Sequence, residues 1–341
     1  MQVKPTAHKS WHDLNAHYLD AMRSPWYRGL VELQDAMTHA TYRFFKSCNL
    51  KTLYLPITTA SISSPMGLGS DSKPVKIDLF GVETYLADSM QFMLEYGCRL
   101  HPAGCYYLMP SFRGEEADET HLCQFYHSEA EIPGTLADVM KLVENYVRSM
   151  TAEVYERCAP FIRECDGNVE AIERLVASSE RFPQITVDAA IQMLGNDPAL
   201  VRHDDTRGFR TLTRRAEQIL QQHLGGFVWL TEPDHIAVPF YQAFADTGGR
   251  KAKAADLLFG LGEVVGCGER HESAAEVRRA LEMHRVDLKS YEWYCKMREK
   301  FPMKTSGFGL GTERYLCWLL NHRDVRDCQL LPRFNGVAAI P

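Results

Sequence analysis

The sequence predicts an α+β protein in which helices and strands are interspersed along 341 residues. Residues 105–109 and 125–132 have the apolar and alternating character of β-strands. Between positions 24 and 49, apolar residues recur at helical spacing, and a glycine turn separates two apolar runs within residues 255–266. These patterns predict a mixture of helices and sheet, and they leave the arrangement of the strands open.

Composition and charge exclude several classes of protein. Hydrophobic residues make up 45% of the chain, as in ordinary globular proteins, and no apolar run approaches membrane-spanning length. The net charge of −6 provides no global basic field for nonspecific nucleic-acid binding. The ten cysteines form no C-x-x-C pair and follow no secretory leader, so we expect a reducing, cytoplasmic location. The spacing of His121, Cys123 and His127 fits no usual zinc module.

In the first half of the chain, Ser24 and Pro25 predict the start of a helix, because proline is favoured in the first helical turn. This helix is expected to end near residue 49, and a short strand interrupted by proline should follow at 53–57. The stretch 61–75 is rich in Gly, Ser and Pro and predicts a loop. After it we expect a hairpin at 77–86 and a helix from 87 to about 100.

In the second half, residues 134–225 are predicted to be mostly helical, with helices at 136–158, near 169–178 and at 186–191. This region contains a basic stretch, Arg207–Arg215, which is more often a solvated face than a surface for RNA or another anionic partner. The later elements expected are a buried strand at 226–231, a hairpin at 255–266 and an apolar helix at 312–320.

Two strands joined by an acidic loop carry the densest group of chemically useful side chains. Because side chains alternate along a strand, Phe125, His127, Glu129 and Glu131 are expected on one face, and Arg113 and Glu115 should likewise share a face. Unpaired buried charges are costly, so such a face cannot be ordinary core. It is either solvated or the floor of a site for a charged, metal-bound ligand.

The pattern Phe112-Arg113-x-Glu115, then a loop, then His121-x-x-x-Phe125 resembles motif 2 of the class II aminoacyl-tRNA synthetases. Downstream, the stretch 307–314 (Gly-Phe-Gly-Leu-Gly-Thr-Glu-Arg) resembles their motif 3, although such glycines alone are a weak signal. The helix from Ser24 and the proline-containing strand after it resemble motif 1. The likeness extends over residues 24–333 and is greatest to the asparaginyl and aspartyl subgroup.

The resemblance implies an antiparallel sheet of six or seven strands flanked by helices, and a homodimer formed through motif 1. It implies one catalytic domain over 1–341, with 1–23 as an N-terminal extension and 134–225 as a helical insertion between motifs 2 and 3. No OB-fold anticodon domain is expected, because the fifty or so residues before the motif 1 proline are mostly helix. The loop at 61–75 resembles the one that covers the amino-acid pocket.

The resemblance also assigns residues to ATP and Mg²⁺. Arg113, Arg314 and His121 would be catalytic, with Arg113 on the α-phosphate and the other two on the γ-phosphate. Phe125 and Arg314 would enclose the adenine, Glu115 would bind its amine, and Gly311 and Glu263 would also contact ATP. Asp256 and Glu263 would ligate Mg²⁺, a hard ion that prefers carboxylates and phosphate oxygens. Without the resemblance, Asp256 and Glu263 would be read as surface charges of a hairpin.

For the amino acid, the resemblance implies contacts from Ser89, Gln91, Glu129 and Arg270. Glu129 would bind the ammonium group and Arg270 a side-chain oxygen. From the residues alone, Ser89 is also a helix N-cap candidate, and Arg270 also an ion partner for Glu269 or Glu272. Leu94 and Val238 stand where aspartyl and asparaginyl enzymes, respectively, have lysine, so the pocket is expected to be altered.

Three functions follow from these expectations. The leading one is an AMP-forming ligase that activates an aspartate- or asparagine-like acid and transfers it to ammonia or a small amine, as in the archaeal asparagine-synthetase-type relatives that lack the anticodon domain. The alternative is an aminoacyl-tRNA ligase that recognises only the acceptor end of tRNA. The third is an inactive regulatory paralogue, which the joint presence of the phosphate and metal residues disfavours.

Overall fold

A computed structural model describes residues 4–63 and 72–339. The α-helices in these ranges are α1 (Leu14–Arg23), α2 (Pro25–Ser47), α3 (Gln91–Leu100), α4 (Leu136–Glu164), α5 (Val169–Ala177), α6 (Val187–Met193), α7 (Arg214–His223), α8 (Ala274–Met283), α9 (Glu292–Lys300) and α10 (Thr312–Leu319). The strands are β1 (Lys51–Thr52), β2 (Thr58–Thr59), β3 (Val75–Leu79), β4 (Val82–Leu86), β5 (Cys105–Phe112), β6 (Gln124–Pro133), β7 (Gln184–Thr186), β8 (Val201–Asp204), β9 (Phe209–Leu212), β10 (Val228–Thr231), β11 (Ala254–Phe259), β12 (Gly262–Glu269) and β13 (Thr305–Gly311).

The main sheet has eight strands in the order β1-β5-β6-β13-β12-β11-β10-β7. Its six central strands are antiparallel, and β1 and β7 add short parallel edges. The predicted α+β fold with a large antiparallel sheet is confirmed. The antiparallel part has six strands, as expected. The two parallel edges were not predicted, because edges of two and three residues leave almost no periodic pattern in a sequence.

Helices α2 and α4 cover one face of this sheet and form the main core. The rings of Phe45 on α2 and Tyr146 on α4 lie 4.7 Å apart, above Phe308 of β13. Ser128 of β6 shares a hydrogen bond of 2.9 Å with the Tyr146 hydroxyl. Since side chains alternate along β6, the neighbours of Ser128 point to the opposite face, which is left open for a site.

Helix α4 has 29 residues, enough to span a bilayer by length. Its exposed side is polar, however, and none of the helices in the described ranges combines such length with the necessary apolarity.

Most elements predicted for the first half of the chain are confirmed, including the helix that starts at Pro25 and the hairpin β3–β4. The strand predicted at 53–57 is wrong. Pairing with β5 ends just after Thr52, Tyr54 is fully exposed, and Pro56 has no N–H for a ladder. Helix α3 starts at Gln91 rather than at 87, because the Ser89 side chain accepts a hydrogen bond from the Gln91 N–H. Of the predicted loop, residues 64–71 lie outside the described residues.

Residues 134–225 contain the helices α4 to α7, and also β7 and the hairpin β8–β9, which sequence reasoning missed. The basic stretch is not one helical face. Arg210 lies in β9 and forms ion pairs with Asp188 and Asp234, whereas Arg214 begins α7. These strands have only three or four residues, which is too short for a recognisable alternation.

Three buried histidines form a cluster beside α8, in which two pack on Phe244 and the third contacts His235. His284 Nε2 lies 3.0 Å from His235 Nδ1, and the His235 and His271 rings lie 4.4 and 4.5 Å from the Phe244 ring. Burial lowers the pKa of His235 to about 4 and the pKa values of His271 and His284 to about 3. Arg279 and Arg298 are close enough to disfavour protonation further.

We expect these histidines to make the fold sensitive to acid. Each pKa is lower in the folded chain than the unfolded value of about 6.5, so the unfolded chain binds more protons as the pH falls through 6.5. Stability should therefore be full above pH 6.5 and decrease below it, by about 2 kcal/mol for each histidine at pH 5. Denaturant unfolding at pH 7 and pH 5 measures this loss.

The matched variants are His284→Leu and His203→Leu, since His203 is exposed. His284→Leu should be less stable at pH 7 but lose less between pH 7 and pH 5, whereas His203→Leu should behave as the wild type. An equal acid loss in all three proteins would contradict this account.

Candidate active site

The candidate site occupies the sheet face opposite α4, where β6 carries a row of functional side chains. Its neighbour β13 presents a glycine beside each of three of them: Gly311 beside His127, Gly309 beside Glu129 and Gly307 beside Glu131. A Cβ on Gly309 would lie 2.9 Å from Glu129 Oε1, and one on Gly307 would overlap Glu131. The absence of side chains at these alternate glycines therefore makes space for the carboxylates of Glu129 and Glu131.

The next strand, β12, extends this bare surface. Gly266 pairs with Gly309, and Gly268 pairs with Gly307. A Cβ on Gly266 would lie 2.9 Å from Glu263 Oε1, and one on Gly268 would overlap the amide of Gln242. The centre of the sheet is thus a floor of four glycines bordered by polar side chains.

One cavity, of about 230 Å³, lies towards the start of β6 and α10. All the residues predicted to bind ATP line it, and they are Arg113, Glu115, His121, Phe125, Glu263, Gly311 and Arg314.

Arg113 lines this cavity and has hydrogen-bond donors without partners among the described residues. Its guanidinium carbon lies 5.4 Å from the centre of the Phe125 ring, and its buried Nε has no hydrogen-bond partner. No carboxylate in the described part of the chain pairs with it. Arg113 follows the end of β5, so the prediction that it shares a strand face with Glu115 is wrong: Gly114 bonds to Lys73 instead of continuing the ladder. An arginine with free donors suits a phosphate or carboxylate.

Arg314 and His121 are held by the elements around the same cavity. Arg314, in the first turn of α10, donates to the carbonyl oxygens of Glu263 at 2.7 Å and Thr120 at 3.3 Å. His121 Nδ1 lies 3.0 Å from Asp118 Oδ1. Although burial opposes it, hydrogen bonds from Thr120 and the nearby His121 lower the pKa of Asp118 to about 2. His121 is therefore oriented by an ionised carboxylate.

A second cavity, of about 290 Å³, lies over the glycine floor. It contains every residue predicted to bind the amino acid or the metal, namely Ser89, Gln91, Glu129, Asp256, Glu263 and Arg270. It shares four lining residues with the first cavity: Arg113, His127, Glu263 and Gly309. The two cavities are therefore adjoining parts of one site.

Glu129 is buried at the floor of the second cavity and is well supplied with donors. Ser89 Oγ donates to its Oε2 at 2.6 Å, and the Tyr107 hydroxyl donates to the same oxygen. His127 Nδ1 lies 3.0 Å from Oε1. Burial by itself would raise the pKa of Glu129, but His127 and these hydrogen bonds lower it below its ordinary value. The site thus contains an ionised carboxylate suited to a substrate ammonium group.

Arg270 is fully engaged by its neighbours. Its Nη2 lies 3.0 Å from Glu131 Oε2, and its Nη1 donates to Gln242 Oε1 at 2.8 Å. Gln91 donates to the same Glu131 oxygen at 2.6 Å. The alternative partners considered for Arg270, Glu269 and Glu272, do not pair with it; Glu269 pairs with Lys253. Sequence reasoning left Glu131 without a role and missed Gln242, for which the sequence contains no distinctive signal.

Asp256 and Glu263 both face the space above Gly266. Burial, followed by the charges of Glu263 and Glu217, raises the pKa of Asp256 well above its ordinary value. Glu217 of α7, which sequence reasoning missed, has its pKa raised to about 7 by burial and by Glu263. No group of three ligands for a metal converges in the described ranges. The two neighbouring carboxylates nevertheless fit Mg²⁺, which binds through one or two carboxylates together with substrate phosphates.

The two positions at which the resemblance predicts lysine, Leu94 and Val238, have different environments. Val238 lines the second cavity, whereas Leu94 is completely buried in an apolar cluster with Cys98 and Tyr107. Val238 therefore alters the pocket directly, and Leu94 contributes to the packing behind it.

Comparison with known proteins places this chain in a family. The profile described as tRNA synthetases class II (D, K and N) matches residues 10–335. The chain is 26% identical to an asparagine–tRNA ligase of Myxococcus xanthus, over 93% of this chain and 72% of the ligase.

Among solved structures, the chain resembles asparaginyl-tRNA synthetase from Pyrococcus horikoshii complexed with asparaginyl-adenylate, with a TM-score of 0.85 and 24% identity over 96% of this chain and 73% of that one. It also resembles the Entamoeba histolytica asparaginyl-tRNA synthetase in complex with asparaginyl-adenylate, with a TM-score of 0.80 and 21% identity over 94% and 70% of the two chains. The fold and the match along nearly the whole sequence agree: the chain belongs to the class II tRNA synthetases of the D, K and N group, a family of ATP-dependent ligases.

Proposed function

We propose that the protein activates the carboxylate of an asparagine-like amino acid with ATP and transfers the acyl group from the resulting adenylate to an acceptor. The observation that carries this proposal is Arg113, which lies at the junction of two adjoining cavities and has no ion-pair partner among residues 4–63 and 72–339. A guanidinium there can bind the α-phosphate and the attacking carboxylate together. Positioning and charge stabilisation by such groups supply most of the rate in phosphoryl chemistry.

In this proposal, ATP occupies the first cavity. Phe125 and Arg314 lie on the two faces of the adenine, and Glu115 accepts from its amine. His121 and Arg314 bind the γ-phosphate, and the backbone at Gly311 allows close approach. Asp256 and Glu263 would hold Mg²⁺, which would supply positive charge next to the phosphates. The raised pKa of Asp256 supports this assignment, since a cation would relieve the repulsion between the carboxylates.

The amino acid would occupy the second cavity, with its ammonium group on Glu129 beside Ser89 and Gln91. Arg270 is already neutralised by Glu131, so its charge is not available for a second substrate carboxylate. Arginine only donates hydrogen bonds, so Gln242 must turn its oxygen towards Arg270 and its amide nitrogen towards the cavity. These contacts favour a neutral side chain with a carbonyl acceptor, as in asparagine, over aspartate.

The comparisons favour tRNA as the acceptor, because the curated relative is an asparagine–tRNA ligase. Ammonia or a small amine, the acceptor first expected from the sequence, is the second candidate. The imidazole of His127 at the junction of the cavities supports it, since an ammonium group must lose a proton before it can attack a carbonyl.

We also propose a homodimer through the motif 1 helix. On α2, Tyr42 is exposed, as are Tyr126 of β6 and Leu331 near the C-terminal end. These residues line an apolar hollow of about 540 Å³. A second copy of the chain would cover this surface.

Arg113→Ala should reduce pyrophosphate exchange into ATP by at least about 100-fold, because a charge-assisted contact to the reacting groups is lost. Its melting temperature should not fall below that of the wild type, since Arg113 forms no ion pair with the described residues. Arg278→Ala, which removes a surface pair with Glu299, is the control and should exchange normally. Normal exchange by Arg113→Ala would refute the assignment.

Pyrophosphate exchange, with and without tRNA, should be faster with asparagine than with aspartate. Glu131→Gln should shift this ratio towards aspartate, because it frees the charge of Arg270. Since breaking a buried pair costs about 3–5 kcal/mol, circular dichroism must first establish that the variant is folded. A wild-type preference for aspartate would contradict the neutral-side-chain assignment.

Tyr42→Asp should convert a dimer into a monomer, because it places a charge within the proposed apolar contact. Light scattering after size-exclusion chromatography gives the mass directly. Val176→Asp, at an exposed apolar position on α5, should remain dimeric. A monomeric wild type at micromolar concentration would argue against the interface.

A further inference from the structure

His127 has a position and a set of contacts that the proposed binding roles do not use. It is one of four residues that line both cavities, so it borders the place where the amino-acid carboxylate would meet the α-phosphate. Its side chain is 13% exposed, and the edge of its ring packs on Phe125 with the ring centres 4.8 Å apart. The imidazole is thus held firmly while one side remains open to the cavity.

The contacts of its Nδ1 determine which nitrogen can accept a proton. Nδ1 lies 3.0 Å from Glu129 Oε1 and 2.9 Å from Ser111 Oγ. An ionised Glu129 can only accept and the Ser111 hydroxyl can also accept, so these two contacts favour the tautomer with the hydrogen on Nδ1. In the neutral ring the lone pair is then on Nε2, which has no partner in the described part of the chain. This nitrogen is not among the fully buried unpartnered atoms, and His127 lines both cavities.

We propose that His127 is the general base of the acceptor step, with Glu129 as its positioning partner. The inference rests on the proposed formation of an acyl-adenylate. The acceptor is a protic nucleophile, an amine or a ribose hydroxyl. Its N or O atom bonds to the acyl carbon, the bond from that carbon to the phosphate oxygen breaks, and AMP leaves with the electron pair. The proton of the nucleophile passes to His127 Nε2 and then to solvent.

This role explains why one carboxylate, Glu129, would contact both the substrate ammonium group and His127. The same Glu129 that would bind the substrate ammonium through one lone pair of Oε1 also fixes the tautomer of His127 through Oε1. The developing imidazolium would be stabilised by a carboxylate 3.0 Å away. Arrangements in which a carboxylate orients a histidine base recur where a weak nucleophile must be deprotonated.

The test separates the two half-reactions. Adenylate formation is followed by pyrophosphate exchange, and transfer is followed in single turnovers by adding ammonia, hydroxylamine or bulk tRNA to preformed enzyme–adenylate. The variants are His127→Gln, which retains side-chain volume, and His127→Ala, which leaves a cavity for added imidazole. His203→Ala, at an exposed position on β8, is the control.

We expect transfer to fall by about 100-fold or more in both His127 variants, the usual contribution of a general base. Exchange should fall by less than about tenfold, and imidazole should restore part of the transfer rate in His127→Ala only. The acceptor that shows the largest loss identifies the source of the nucleophile.

Two results would overturn the inference while leaving the proposed function intact: transfer at the wild-type rate, or exchange and transfer that fall in parallel and are not rescued. No exchange by the wild type with any acid, with or without tRNA, would contradict the proposed function and this inference together.

Discussion

The site depends on a patch of sheet that has almost no side chains. Gly307 and Gly309 on β13 pair with Gly268 and Gly266 on β12, and a Cβ at any of the four would press against a functional polar group. An eight-stranded sheet with helices on its other face normally fills such a centre with apolar side chains. Here the glycines leave that space to the side chains of acidic residues, an arginine and a glutamine. The cost is that charged groups must lie in a space with little water, where each needs a partner.

The partners are arranged in two layers. Next to the cavity, Glu131 and Arg270 form an ion pair in which both side chains are almost inaccessible. Behind it, Glu95 of α3 pairs with Arg298 of α9, with both side chains fully buried, and the Tyr294 hydroxyl also donates to Glu95. Buried pairs add little net stability over apolar packing, yet removing one member is costly. The network therefore acts mainly to fix α3, β6 and α9 in register around the pocket.

Sequence reasoning identified the features that are local in the chain. The two-residue period of β6 predicted that Phe125, His127, Glu129 and Glu131 share a face, and the alternate glycines of β13 were recognised as a motif before their steric role was known. It failed where the tertiary fold brings distant segments together. Gln242 joins Arg270 from an irregular loop, and Glu217 reaches Glu263 from α7. Short strands such as β8 and β9 failed for a different reason, because four residues contain too few periods to recognise.

Arg270 and Arg113 differ in whether a carboxylate neutralises their charge, and this difference separates their roles. Arg270 has its charge cancelled by Glu131 and its donors occupied, so it shapes the pocket without attracting a second anion. Arg113, which lines the same second cavity, has no such partner among the described residues, and its Nε is buried without a hydrogen bond. An unsatisfied buried donor of this kind costs about 1–3 kcal/mol in the absence of ligand. A phosphate or carboxylate that accepts a hydrogen bond from Arg113 removes this cost. The free energy of anion binding therefore includes the satisfaction of a donor that the fold leaves without a partner.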